Sequence, residues 1–207
     1  MLLLNKENTK ITEVKLLESR FTFEVVQDGQ IEQCRDLCNE LMAFQKSKAF
    51  IAPDVFDMMN FDTRMKRSYD SALHSQVIVV KDDGVPVGYV FSTIETIKQE
   101  GNAIPAWAPV QEGQKVQGFY PNWDELPAVM GCVSNLYVRE AYKGMGLGSK
   151  LFSMAMEWLE SFEEAELVMI YISNGNDAAL EFYLSRGFTF SHDVFGGFIK
   201  AVYKRRN

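Results

Sequence analysis

Three glycines at alternate positions, Gly144, Gly146 and Gly148, stand between an apolar run ending at Val138 and a stretch whose Leu151, Phe152, Ala155, Leu159 and Phe162 recur at helical spacing. Strand, glycine turn and helix in that order constrain the fold more than any other part of the chain. Glycine lets the backbone approach an anion closely, and the start of the helix offers unpaired N–H groups and the positive end of its dipole. The pattern therefore predicts a site able to hold a phosphate or pyrophosphate. It lacks the Gly-Lys-Ser/Thr ending of a Walker loop and the G-x-G-x-x-G spacing of a dinucleotide fold. Spacing alone leaves a tight turn and a ligand loop equally open.

The rest of the chain reads as alternating strands and helices. Residues 12 to 26 carry two short apolar stretches that predict a first strand or hairpin. Ile31, Cys34, Cys38, Leu41 and Met42 predict an amphipathic helix to about Phe44, and a second helix is expected from Asp54 as cap toward Tyr69. Val77 to Lys81 and Val85 to Thr93 flank Asp82-Asp83-Gly84, a hairpin signal. Residues 95 to 127 break the periodicity with four of the six prolines and with Trp107, Phe119, Tyr120 and Trp123. That stretch is expected to be a long structured insertion, serving as a lip over a ligand or as a satellite core. After the glycine turn come a strand over Leu167 to Ser173, a helix from Asp177 to Arg186 stopped by Gly187, and strands over Phe188 to Ser191 and Phe198 to Lys204.

Composition narrows the function. A chain of 207 residues with 47% apolar and 24% charged residues is expected to form one globular domain over 1–207, interrupted by the 95–127 insertion. No apolar run approaches the roughly 18 residues of a membrane span, so no membrane partner and a cytoplasmic location are expected. The net charge of -7 argues against a nucleic-acid partner, since phosphate backbones are bound by Lys and Arg, and suits a cationic small substrate better. Three cysteines and two histidines without clustered partners predict neither a disulfide framework nor a metal site.

Leu136-Tyr137-Val138, followed by Lys143-Gly144-Met145-Gly146-Leu147-Gly148 and Leu151, resembles the acetyl-CoA motif of the GNAT N-acetyltransferase superfamily, written Q/R-x-x-G-x-G/A after a strand ending in Leu-x-Val. Lys143 replaces the usual Arg or Gln and keeps a positive charge without the forked contacts of Arg. The next motif of that family, N-x-x-A-x-x-x-Y-x-x-x-G-F, is matched by Asn176, Ala179, Tyr183, Gly187 and Phe188. The resemblance implies a mixed α/β fold, a mostly antiparallel sheet with helices on both faces, splayed where the cofactor enters. It implies acetyl-CoA as co-substrate, with backbone groups of Leu136 and Val138 on the pantetheine arm and Gly144, Gly146, Gly148 and Ser149 on the pyrophosphate. Asn176 would steady the pantetheine, and Tyr183 would protonate the leaving thiolate, its phenol near pKa 10 facing a thiol near 8.5.

The resemblance further implies transfer of acetyl to a primary amine of a small molecule or peptide by direct attack, with a homodimer allowed. An alkylamine is almost wholly protonated at pH 7, so a proton acceptor is needed. Many members of the superfamily place a glutamate on the strand before the glycine loop, whereas Met130-Gly131-Cys132-Val133-Ser134-Asn135 holds no carboxylate. Glu95, Asp124 and Glu125 are the remaining candidates, acting directly or through water, and Ser134 could hold such a water. The missing carboxylate also leaves open a different class, an acyl-CoA-binding sensor or interaction module without catalysis.

Overall fold

The computed structural model describes residues 20–98, 104–110, 116–120 and 126–206. Seven strands form one sheet: β1 (Phe21–Val25), β2 (His74–Asp82), β3 (Val85–Ile97), β4 (Ala128–Val138), β5 (Leu167–Ser173), β6 (Thr189–Val194) and β7 (Ile199–Arg205). Their spatial order is β1-β2-β3-β4-β5-β7-β6, and every neighbouring pair is antiparallel except β4 and β5. The principal helices are α1 (Arg35–Lys48), α2 (Arg67–Ser71), α3 (Leu147–Glu160) and α4 (Asp177–Leu184).

Both faces of the sheet are covered, and β2 displays the reason its centre reads as an unbroken apolar run. Ile78 and Val80 pack with Leu151, Ala155 and Leu159 of α3 on one face. Val77 and Val79, pointing the other way, pack with Leu37 and Cys38 of α1 and with Phe61 and Met65. The β2–β3 hairpin closes through Asp83 (φ 47) and Gly84 (φ 81), the two left-handed residues a tight hairpin turn requires.

Two local expectations are corrected. The predicted helix from Asp54 to Tyr69 is broken into a 3-10 turn over Pro53–Met58, a π-helical stretch over Phe61–Lys66, and α2. Asp54 is not its cap. Asn60 is, accepting from the N–H groups of Asp62 and Thr63 while the Thr63 hydroxyl receives the Asn60 N–H, a capping box that restarts the chain in a new direction. The helix predicted to end near Phe44 continues one turn to Lys48. Of the stretch predicted over residues 12 to 26, β1 falls among the described residues and the part before residue 20 lies outside them.

Two irregularities of β4 position the site. Phe91 pairs with Asn135 but Ser92 pairs with Val133, so Ser134 is an extra residue that bulges the strand. The parallel pairing with β5 covers Met130, Gly131 and Cys132 and then ends, although β4 runs on to Val138 and β5 to Ser173. The two strands diverge, opening the sheet along the edge of β4 next to Leu136 and Val138.

Candidate active site

At the far end of β4 the chain enters the glycine loop. Gly144 (φ 78) and Gly146 (φ 79) are left-handed, and a Cβ built on either would meet nothing within 4 Å. Backbone conformation demands glycine there, and the space in front of the loop is open. Gly146 caps α3 with no side-chain hydrogen bond, so the first N–H groups of that helix, including those of Gly148 and Ser149, lack intrahelical carbonyl partners and make a cradle for an anion. Two cations border it. The Lys143 ammonium pairs with Glu140 at 2.5 Å and lies 4.8 Å from the centre of the Phe44 ring. Arg186, which the sequence reading passed over, donates to the Ser149 hydroxyl at 2.8 Å. Its signal in the sequence was only its position in the last turn before Gly187.

Asn176 caps α4 by accepting from the Ala179 N–H at 3.4 Å, which aims the helix and with it Tyr183. Tyr183 is buried, its ring against Phe152, Phe182 and Phe188. Burial raises its phenol well above the ordinary value, and the neighbouring Cys132 adds to the shift. It therefore stays protonated, a hydrogen-bond donor, throughout the ordinary pH range.

On the other side of β4 lies a cavity of about 450 Å³. Its wall is assembled from the end of α1, the broken helical segment over residues 55 to 68, the β4 bulge, Tyr171 of β5 and the aromatic insertion. Among the described residues Glu95 is the carboxylate of that wall. Its Oε1 accepts from the Thr93 hydroxyl at 2.8 Å and its Oε2 from the Tyr120 hydroxyl at 3.4 Å, while Thr93 also touches the Ser134 hydroxyl at 3.4 Å. Cys132 lines the same cavity, and burial pushes its thiol up to about 12, with Glu95 adding to the shift. A thiol so disfavoured as thiolate is a poor nucleophile. Asp124 and Glu125, the other carboxylates put forward from the sequence, lie outside the described residues.

The described part of the insertion both lines the cavity and packs as a satellite core. Trp107 and Phe119 line the cavity while stacking edge-on against Phe195 at 5.5 and 4.9 Å. His192 holds the insertion to β6: its Nε2 faces the Gly118 carbonyl at 2.9 Å, so that nitrogen carries the proton, and Nδ1 accepts from Ser191. Burial lowers its pKa, which keeps this strap neutral. Asn174, also missed, is 1% exposed, and its side chain makes four hydrogen bonds that fasten residues 50 and 51 to Phe198, just before β7.

The glycine loop, the divergence of β4 from β5 and the order of the motifs agree with one family model, described as the acetyltransferase (GNAT) family, which matches residues 38–188. The chain belongs to this family. It is thus an acetyl-CoA-dependent acyltransferase of the GNAT type, with the mixed, mostly antiparallel fold expected of one. No curated protein matches it by sequence. Solved structures of GNAT proteins share the fold at low identity. Arabidopsis thaliana Naa50 in complex with the bisubstrate analogue CoA-Ac-MVNAL is 14% identical with a TM-score of 0.56, over 90% of this chain and 99% of that one. PaiA N-acetyltransferase from Thermoplasma acidophilum in complex with coenzyme A is 12% identical with a TM-score of 0.57, over 89% and 99%. The NatC complex bound to Gag peptide and CoA matches at 12% identity and a TM-score of 0.57, over 91% and 99%. Among the described residues no group of three or more His, Cys, Asp or Glu could hold a metal ion, and no helix is long and apolar enough to cross a membrane.

Proposed function

We propose that this GNAT protein transfers the acetyl group of acetyl-CoA to a primary amine of a small molecule or peptide, by direct attack while both substrates are bound. The observation that carries the reading is the meeting of two separate sites at Cys132. The glycine cradle opens on the β4 edge beyond Cys132, the acceptor cavity is walled in part by Cys132 itself, and both Glu95 and Tyr183 lie within electrostatic reach of its thiol. Two substrates entering by different sides favour a ternary complex over a covalent acyl-enzyme, and the strongly disfavoured Cys132 thiolate points the same way.

Bound acetyl-CoA supplies the activated acyl group. Amides of Gly144, Gly146, Gly148 and Ser149 would hold the pyrophosphate, with Lys143 and Arg186 alongside. Leu136 and Val138 would meet the pantetheine through backbone groups, with Asn176 near its end. Glu95, directly or through a water on Ser134, takes a proton from the acceptor ammonium. The amine nitrogen then bonds to the acetyl carbon, the carbon–sulfur bond breaks with the electron pair leaving on sulfur beside Tyr183, and the nitrogen's surplus proton passes through water to the departing thiolate, leaving the amide and the CoA thiol. Because burial raises the phenol above a thiol near 8.5, complete proton transfer runs uphill, and the hydroxyl acts chiefly by donating a hydrogen bond to the developing thiolate. A cytoplasmic location and a single domain over 1–207 belong to the same reading.

The test is an acceptor panel incubated with acetyl-CoA while free thiol is followed. Amino acids, polyamines, aminoglycosides and peptide N-termini form the panel, the last because Naa50 and NatC were solved with peptide ligands. Thiol release above hydrolysis with at least one class is expected. Tight acetyl-CoA binding without turnover on any of them would replace this reading with that of a sensor.

A further inference from the structure

Among the described residues, the wall of the acceptor cavity carries more positive than negative charge, in a chain whose net charge is -7. Around it the cations are neutralised: Lys46 pairs with Asp57 at 2.6 Å and Asp54 at 3.5 Å, Arg35 with Asp62 at 2.6 Å, and Lys66 with Asp70 at 2.8 Å. Arg64 and Arg67, which stand in the cavity wall, are different. Among the described residues neither has a carboxylate partner. Arg64 is half-buried, and its contacts are two long ones, 3.4 Å to the Ser68 hydroxyl and 3.4 Å to the Ser134 carbonyl on the β4 bulge. Such distances are weak hydrogen bonds and leave most of the five guanidinium donors unassigned. A half-buried guanidinium held against the reacting strand without a counter-ion is costly unless something negative arrives to meet it.

A second observation comes from the polar atoms of the same wall. The Tyr171 hydroxyl is buried and has no hydrogen-bond partner, and the same is true of the Asn135 side-chain oxygen. Tyr171 lies within electrostatic reach of both Arg64 and Glu95. The cavity thus carries cationic donors on one part of its wall, Arg64 and Arg67, and the Glu95 carboxylate on another, while two of its lining residues, Tyr171 and Asn135, keep a buried polar atom unpaired. Ser134 joins the two parts, its carbonyl toward Arg64 and its hydroxyl toward Thr93, which donates to Glu95.

We propose that the acceptor is an amine that also bears an anionic group, a carboxylate or a phosphate, bound by Arg64 and Arg67 while its nitrogen stands at Glu95. This rests on the acetyl-transfer reading above and narrows it from primary amines in general to amino acids, acidic peptides and aminoalkyl phosphates. The forked guanidinium of Arg64 suits a bidentate anion, and the bond is charge-assisted. The acidic composition alone suited a cationic small substrate better. Whole-chain charge is an average, whereas a partly dehydrated cavity is governed by the few charges that line it.

The intact protein with acetyl-CoA provides the test. Amino carboxylates of increasing amine-to-anion spacing, and peptides acidic at the second position, are compared with their carboxamides, with 2-aminoethyl phosphate as the phosphate arm. The anionic acceptor should exceed its amide at least tenfold in kcat/KM, and whether carboxylate or phosphate leads identifies the anion. Arg64→Gln should shrink the ratio at least tenfold, mainly through KM. Arg67→Gln should shrink it in the same direction; Arg67 is exposed, so this variant remains informative if Arg64→Gln fails to fold. Equal use of amides and polyamines by the wild type, or an unchanged ratio in both variants, overturns the proposal. Should no amine be acetylated, the transfer reading fails by itself. Calorimetry of the same acceptors into the CoA-bound protein then decides the binding claim, which stands if anionic amines bind more tightly than their amides and falls if they do not.

Discussion

At the scale of single residues, the roles proposed for Tyr183 and Glu95 are separable by experiment. Tyr183→Phe keeps the ring that packs on Phe152 and Phe188 and removes only the donor. The single-turnover rate should fall about tenfold to a thousandfold while the acetyl-CoA dissociation constant stays nearly constant. A variant that keeps the wild-type single-turnover rate from pH 6 to 10 would assign the sulfur's hydrogen bond to water. Glu95→Gln retains the Thr93 and Tyr120 contacts in shape but cannot accept the ammonium proton. We expect kcat to drop about a hundredfold or more at pH 7, with partial recovery at high pH where the acceptor is already neutral. Rates equal to wild type at neutral pH would move the base elsewhere.

Elements decide where these residues stand. The glycine loop is legible in the sequence because its conformation can be met by few residues. Gly146 at φ 79 is strained for any side chain, and Gly146→Asp adds a negative charge where a pyrophosphate would approach. Acetyl-CoA affinity, measured by titration on the folded variant, should weaken by more than about tenfold. The acceptor side was less legible. The break after Met58 follows from Asn60 and Thr63 capping a new helical start, a signal overlooked because the apolar periodicity continued through Phe61 and Met65. Asn174 holds the beginning of that broken segment. Its side chain accepts from the N–H groups of Phe50 and Ile51 and donates to the carbonyls of Ile51 and Phe198. Asn174→Ala removes these bonds to part-buried backbone groups, while the Phe198 carbonyl keeps the Asn174 N–H, and should cost about 1–3 kcal/mol in denaturant unfolding. It should raise the acceptor KM more than it weakens acetyl-CoA binding, because the cavity wall and not the glycine cradle loses its anchor. Loss of stability without that asymmetry would mean that the segment does not shape the acceptor site.

For the whole molecule, the buried thiols and phenols tie stability to pH in one direction. Burial pushes the Cys34 and Cys132 thiols up to about 12 and raises the phenols of Tyr89, Tyr171 and Tyr183. In an unfolded chain thiols ionise near 8.5 and phenols near 10. Above those values the unfolded state has released protons that the folded state still holds, so stability is complete below about pH 8.5 and declines as pH rises toward 12. Urea midpoints measured from pH 7 to 11 should fall across that window with little change in slope. A midpoint constant to pH 11 would contradict the burial of these groups. Both core layers depend on this burial, since Cys34 and Tyr89 lie under α1 and Tyr183 lies under α3.

What the sequence determined by itself was everything that rests on local conformation: alternating and continuous apolar runs for the strands, Asp83-Gly84 for the hairpin, Gly144 and Gly146 for the cradle, Gly187 for the end of α4. These follow from the steric limits of one residue and its near neighbours, so no partner from elsewhere in the chain is required. Tertiary structure decided the acceptor side. Glu95 has its Thr93 contact from the strand itself, but its neighbours Tyr120 of the insertion and the cavity wall came only with the fold. Ser134 gained meaning only when the register with β3 slipped, and Arg64 only when a helical segment seventy positions earlier in the chain was laid against that bulge. Contacts of that sequence separation have no local signature, because any of many exposed Arg and Glu residues could have met there, and packing of the two layers on the sheet selected which of them did.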